Sequence, residues 1–144
     1  MATADLLRIR EALEASWDEK TSYMAMKEMG NPAFGQCYPT CRVVQYFFPE
    51  MEIAKGEVWN KNGREIHKHY WNVLRTKNGL CHIDLTWSQF PPGSNIREYV
   101  ILGCNQLDDS EQTRKRFELL LERVNRYLQN MNDGGNISTC VIPA

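Results

Sequence analysis

Asn31-Pro32-Ala33-Phe34-Gly35-Gln36-Cys37-Tyr38-Pro39-Thr40-Cys41 runs without a break into Arg42-Val43-Val44-Gln45-Tyr46-Phe47-Phe48. The second run is too apolar to stay outside a folded chain, and Pro49 closes it. Gly35 permits a tight or left-handed turn just before the sulfur. Pro39 is tolerated in the first turn of a helix, where its missing N–H costs nothing. The pattern predicts a buried helix that starts close to Cys37 and stops near Pro49. A thiol at a helix start faces free N–H groups and the positive end of the helix dipole, the setting that favours a thiolate. The competing reading is a small core hydrophobe, because free cysteines are often buried. Residues further along the chain decide between the two.

Upstream, Leu6, Ile9, Leu13 and Trp17 recur at helical spacing, so a first helix is expected from a cap at Thr3 or Asp5 to about Trp17. Trp17 and Tyr23 read as core. Residues 18–36 carry Gly30, Asn31-Pro32 and Gly35 and read as a loop. Downstream, strands are expected at Glu52–Trp59, Glu65–Arg75, Leu80–Trp87 and Tyr99–Leu102. Lys61-Asn62-Gly63 and Thr76-Lys77-Asn78-Gly79 read as turns, the latter with the Asn-Gly hairpin signal. Asp109 or Ser110 then caps a long helix to about Asn130, with Phe117, Leu120, Leu121, Val124 and Leu128 as its buried stripe. Grouped helices and strands in this order argue α+β, an antiparallel sheet packed against helices. One domain is expected over 1–131, with a flexible tail over 132–144.

Composition narrows the function classes. The 144 residues are 42% hydrophobic and 24% charged, enough for a core without staples. A net charge of −1 and a pI near 6.3 give no general attraction to phosphate backbones, so nucleic-acid binding is not expected. No apolar run approaches the roughly 18 residues that span a bilayer. The first residues lack the layout of a signal peptide, which leaves a cytoplasmic location as the expectation. Five cysteines without an export signal are expected as reduced thiols. The sequence assigns no oligomeric state.

The chemistry lies in the expected hairpin. His69 is on its first strand, within His67-Lys68-His69-Tyr70-Trp71-Asn72, and Asp84 on its second, within Cys81-His82-Ile83-Asp84-Leu85-Thr86-Trp87. A loop of even length within Thr76–Gly79 sets odd positions opposite even ones, so Asp84 faces Trp71 and has His69 as its diagonal neighbour. Diagonal neighbours are about 7–8 Å apart, within reach of an imidazole and a carboxylate. Asp84 can then fix the tautomer of His69, and His69 can deprotonate Cys37, the logic of nucleophile, base and orienter. Backbone N–H groups at the helix start, helped by Gln36, would form an oxyanion site. Such a site needs no metal and no cofactor.

Gly35-Gln36-Cys37, then His69-Tyr70-Trp71, then Asp84-Leu85-Thr86 resemble the transglutaminase-like branch of the papain-like cysteine enzymes, which show G-x-C, H-x-W and D-x-T in this order. Asn31-Pro32-x-x-Gly35-Gln36-Cys37, His69-Tyr70-Trp71-Asn72 and Asp84-Leu85-Thr86-Trp87-x-Gln89-Phe90 resemble, more closely, the small bacterial YunG-like proteins, over most of the chain. The superfamily resemblance implies a papain-like or transglutaminase-like core, Cys37 as nucleophile, His69 as base and Asp84 as orienting acid. The activity it implies is a cysteine hydrolase or acyltransferase acting on an amide or ester.

Other residues stay open. His67 shares the face of His69, and His82 shares that of Asp84. Trp71 and Trp87 are candidates to bind substrate, though core is the plainer reading for each. A non-catalytic binding domain of the same fold is the alternative from another class. Structural zinc on Cys37, Cys41, His67, His69, Cys81 and His82 is a further one, weakened by the lack of a paired Cys-x2-Cys knuckle.

Overall fold

The buried helix and the hairpin predicted above form the centre of the structure, a computed structural model that describes residues 3–23 and 31–139. The chain order is α1 (Thr3–Ser16), α2 (Cys37–Phe47), β1 (Glu52–Trp59), β2 (Glu65–Thr76), β3 (Gly79–Ile83), β4 (Asn95–Ile101) and α3 (Glu111–Thr139). Short 3-10 turns lie at Trp87–Gln89 and Cys104–Gln106. The four strands make one antiparallel sheet in the order β3-β2-β1-β4, and the class is α+β.

The amphipathic stripes of the helices build the larger core. Ile9, Ala12 and Leu13 of α1, Val43 and Val44 of α2, and Leu120 and Val124 of α3 are buried together with Phe48 and Met51. Phe117, Leu121 and Leu128 pack at its edge, as their spacing predicts. Leu74 and Ile83 join this cluster from the sheet. Strand residues alternate in direction, so Ala54, Trp71 and Val73 face away and form a second cluster with Ile96 and Ile101. Trp17 closes the end of α1 by donating its indole N–H to Thr40 Oγ1 at 2.9 Å.

Several boundaries differ from expectation. β3 stops at Ile83 rather than Trp87, because Asp84 Oδ1 accepts the Thr86 N–H at 3.2 Å and turns the chain away from the ladder. β4 starts at Asn95, four positions before the expected Tyr99. Its polar first half lies on an edge strand, where exposed side chains hide the apolar alternation. Tyr23, expected in the core, is 54% exposed, with the Arg116 guanidinium 5.5 Å from its ring centre. Helix α3 continues past Asn130 to Thr139, through Gly134-Gly135, each of which costs a helix about 1 kcal/mol without ending it. Part of the expected flexible tail therefore lies on this helix, and residues 140–144 are outside those described. Thr3 and Asp5, the expected caps of the first helix, both lie within α1. No helix among the described residues is long and apolar enough to cross a membrane.

Candidate functional site

Gln36 occupies the N-cap position of α2, and Cys37 is the first helical residue. Gly35 has φ of 76°, the left-handed turn that lets the loop enter the helix there. Pro39 is the third residue of the helix, among the positions whose N–H has no intrahelical acceptor, so it leaves the helix start in place. Gln36 is 1% exposed. Its amide donates to Asp18 O at 2.8 Å and accepts from Thr21 Oγ1 at 2.8 Å. The side chain expected to help an oxyanion site is thus engaged in bracing the 18–21 turn, and the Cys37 and Tyr38 N–H groups remain at the helix start.

The hairpin register pairs Thr76 with Gly79 and Asn72 with Ile83. Only Lys77 and Asn78 form the loop, yet the odd-to-even parity is the one expected. Asp84 is the first residue beyond the ladder, and its Oδ2 lies 2.7 Å from His69 Nε2. Its other oxygen is held by the Thr86 N–H, which explains the Asp-Leu-Thr order physically. His69 is fully buried, with Trp71 stacked at 5.7 Å, Trp87 at 5.9 Å and the edge of Phe90 at 4.8 Å. Its remaining nitrogen, Nδ1, has no hydrogen-bond partner.

Burial by itself would push the His69 imidazole down. The carboxylate of Asp84 and then the Cys37 thiol outweigh it and raise the pKa from 6.5 to about 9. With Nε2 held by Asp84, Nδ1 is the nitrogen left for Cys37. One turn on, burial pushes the Cys41 thiol well above its ordinary value. Cys37, Cys41, Cys81 and Cys104 are all free thiols; Cys140 is outside the described residues.

Beyond the end of β3, no strand among the described residues pairs with β2 on that side from His67 to Trp71. The start of α2 meets the sheet here, and a groove of about 500 Å3 opens over Cys37. Phe34, Tyr38, His67 and Tyr70 are among its walls, with Tyr23, Lys55 and Gln89 around them. Burial, then the negative charge available at Cys37, pushes the Tyr70 phenol up to about 12, so this wall stays neutral.

Of the expected site residues, Asp84 meets His69, and Cys37 lies close enough to raise the pKa of that ring. His67 lines the groove but packs against Phe34 and Phe90, each 6.0 Å away, and is not the histidine bound by Asp84. His82 is exposed, and its Nδ1 accepts the Trp71 indole N–H at 2.9 Å. Trp71 and Trp87, the candidates for substrate binding, do not line the groove. Trp71 is 4% exposed and Trp87 half-buried, and both wall His69 instead. Among the described residues no group of three or more His, Cys, Asp or Glu side chains is placed to hold a metal.

Sequence reasoning missed the tethers. Asn72 is buried and donates to Cys41 O at 3.1 Å, fixing α2 on β2. Gln89 accepts the Gly35 N–H at 3.3 Å and donates to Thr86 O at 3.0 Å, and Asn31 Nδ2 donates to Ser88 O at 3.0 Å. The loop before Cys37 and the loop after Asp84 are thus tied to each other. Asn31, Asn72 and Gln89 all stand within the quoted motifs, which was the available signal. Tyr70 stands there too, whereas Phe34, Tyr38 and Lys55 carried no such signal.

The sequence model of the YunG protein family matches residues 5–129, and the chain belongs to that family. No curated protein and no solved structure matches it.

Proposed function

We propose that this member of the YunG family is a cysteine-nucleophile hydrolase or acyltransferase for an amide or ester, with an architecture of the papain-like or transglutaminase-like kind. The observation that carries the reading is His69: fully buried, held by Asp84 at 2.7 Å through one nitrogen, with its other nitrogen unpartnered beside a half-buried cysteine at a helix start.

In this mechanism the Cys37 proton rests on His69 Nδ1, and the thiolate Sγ attacks the carbonyl carbon. The oxyanion is received by the Cys37 and Tyr38 N–H groups; Pro39 has none to offer. His69 returns the proton to the leaving nitrogen or oxygen, the amine or alcohol departs, and a thioester remains on Cys37. Water or an amine then attacks the thioester and gives its proton to His69, and the thiol re-forms. Asp84 stays ionised throughout and holds Nε2–H. Asp84 and the walls of His69 keep the ring from turning, so its free nitrogen stays aimed.

The test is acylation by p-nitrophenyl acetate, mapped by peptide mass spectrometry. The expected result is one acetyl group per chain, on Cys37, formed at least about 100-fold more slowly in His69→Ala. Acetylation spread evenly over Cys81 and Cys104, with Cys37 no faster, would overturn the reading.

A further inference from the structure

We infer that the groove over Cys37 takes amides or esters that carry a carboxylate, docked by Lys55. The inference rests on the nucleophile reading above and adds the substrate class.

Tyr23, Phe34, Tyr38 and Tyr70 give the groove aromatic walls, and a shape of about 500 Å3 suits a ring or a short apolar chain. Against those walls Lys55 is the unexplained group. It stands on β1 directly opposite Tyr70 of β2, with Nζ 5.8 Å from the Tyr70 ring centre. Among the described residues no carboxylate pairs with it. The neighbouring lysine of the groove, Lys68, differs: its Nζ is 3.1 Å from Glu57 Oε2. Asp108, the carboxylate lining the groove, gives one oxygen to the Ser110 N–H and the other to the Thr113 hydroxyl. Among the described residues Lys55 is therefore the cation in this groove with its charge still to be matched.

The chemistry of the match follows from the donor. An ammonium is a compact point charge with three N–H donors, and one of them over an aromatic face suits a single negative charge. A phosphate calls for several convergent donors or a guanidinium fork, and no arginine lines this groove. A carboxylate is the group that fits. Lys55 and Cys37 wall the same groove, so the carboxylate and the carbonyl under attack belong to one small molecule or one chain end.

Two alkylating agents test this on the intact chain, iodoacetate and iodoacetamide, which differ by a carboxylate for an amide. With each, the Sγ–C bond forms and iodide leaves, and peptide mass spectrometry reads every thiol separately. At low salt the iodoacetate-to-iodoacetamide rate ratio at Cys37 is expected to exceed the ratio at exposed Cys81 and Cys104 by roughly tenfold. Lys55→Met should remove most of that preference, Lys55→Arg should keep it, and Lys77→Met, on the far hairpin turn, should leave it unchanged. N-benzoylglycine, with ring, amide and carboxylate together, should slow the alkylation of Cys37 more than benzamide does. A reactive Cys37 with the same ratio in wild type and Lys55→Met, or with equal protection by the two ligands, overturns the carboxylate site and leaves the nucleophile standing. A Cys37 as inert as buried Cys41 to both reagents overturns the nucleophile and this inference with it.

Discussion

His69 is where burial and charge pull hardest against each other. Desolvation opposes the imidazolium, and Asp84 with Cys37 wins, leaving a pKa of about 9. Replacing Asp84 by Asn keeps the shape and removes the charge. The His69 resonance in an NMR titration is expected near 9 in the wild type and clearly lower in Asp84→Asn, where Cys37 alone is left to oppose burial. A titration unchanged by the substitution would separate Asp84 from the histidine. The same shift fixes a stability trend. A group with a raised folded pKa binds more protons in the native state, so its contribution is complete below pH 6.5 and lost as pH rises through about 9. Urea unfolding should show up to about 3 kcal/mol of that loss in the wild type and little of it in Asp84→Asn.

Two elements must meet for those residues to matter, and each junction has one residue that sets it. Asn72 fastens α2 to β2 through Cys41 O. Asn72→Ala is expected to cost about 1–2 kcal/mol in urea unfolding. It should also slow Cys37 acylation per folded molecule, since the helix start is no longer pinned over the strand. Unfolding energy lost with acylation intact would make Asn72 a structural tether only. Gly56 lies across from His69 in the β1–β2 ladder, and a Cβ there would come within 2.7 Å of the Trp71 ring and 2.9 Å of Glu98 O. Gly56→Ala should therefore displace Trp71, the wall of His69, at about 1–3 kcal/mol. Trp71 fluorescence and thermal unfolding together would check it: neither moving would show that the strands absorb the methyl group freely.

At the scale of the whole molecule, α3 reaches the start of α2 through a relay of polar contacts. Arg123 of α3 pairs with Asp18 at 2.9 Å and donates to Ser16 O at 3.0 Å, and Asp18 O in turn receives Gln36 beside Cys37. Burial pushes the Asp18 carboxyl up, but Arg123 and the Lys20 N–H outweigh it and hold it below the ordinary range. Below this relay lies the helical core, where Leu120 is fully buried. Leu120→Ala should cost about 2–5 kcal/mol and lower the melting temperature. Acylation of the molecules that remain folded should be nearly unaffected at low temperature. A specific loss of acylation at unchanged stability would mean that α3 acts on the site by more than support.

The sequence by itself determined the class, the element order and the three residues that meet. Those readings rest on local physics: apolar periodicity, a glycine before a helix start, and a two-step strand period that fixed which face His69 and Asp84 share. The parity held even though the loop was shorter than expected, because adding a strand pair removes two loop residues and leaves the faces unchanged. Tertiary structure alone decided what each side chain was free to do. Gln36 and Trp71 look available in one dimension, yet the 18–21 turn and His82 occupy their polar groups. Tyr23 looks like core and stands exposed at the groove. Lys55 has no signal in the chain, since only strand pairing sets it beside Tyr70 and only the helix start arriving there makes a groove of the two. Periodicity reports which way a side chain faces; its partners come from segments distant in sequence, and only the packed chain brings them together.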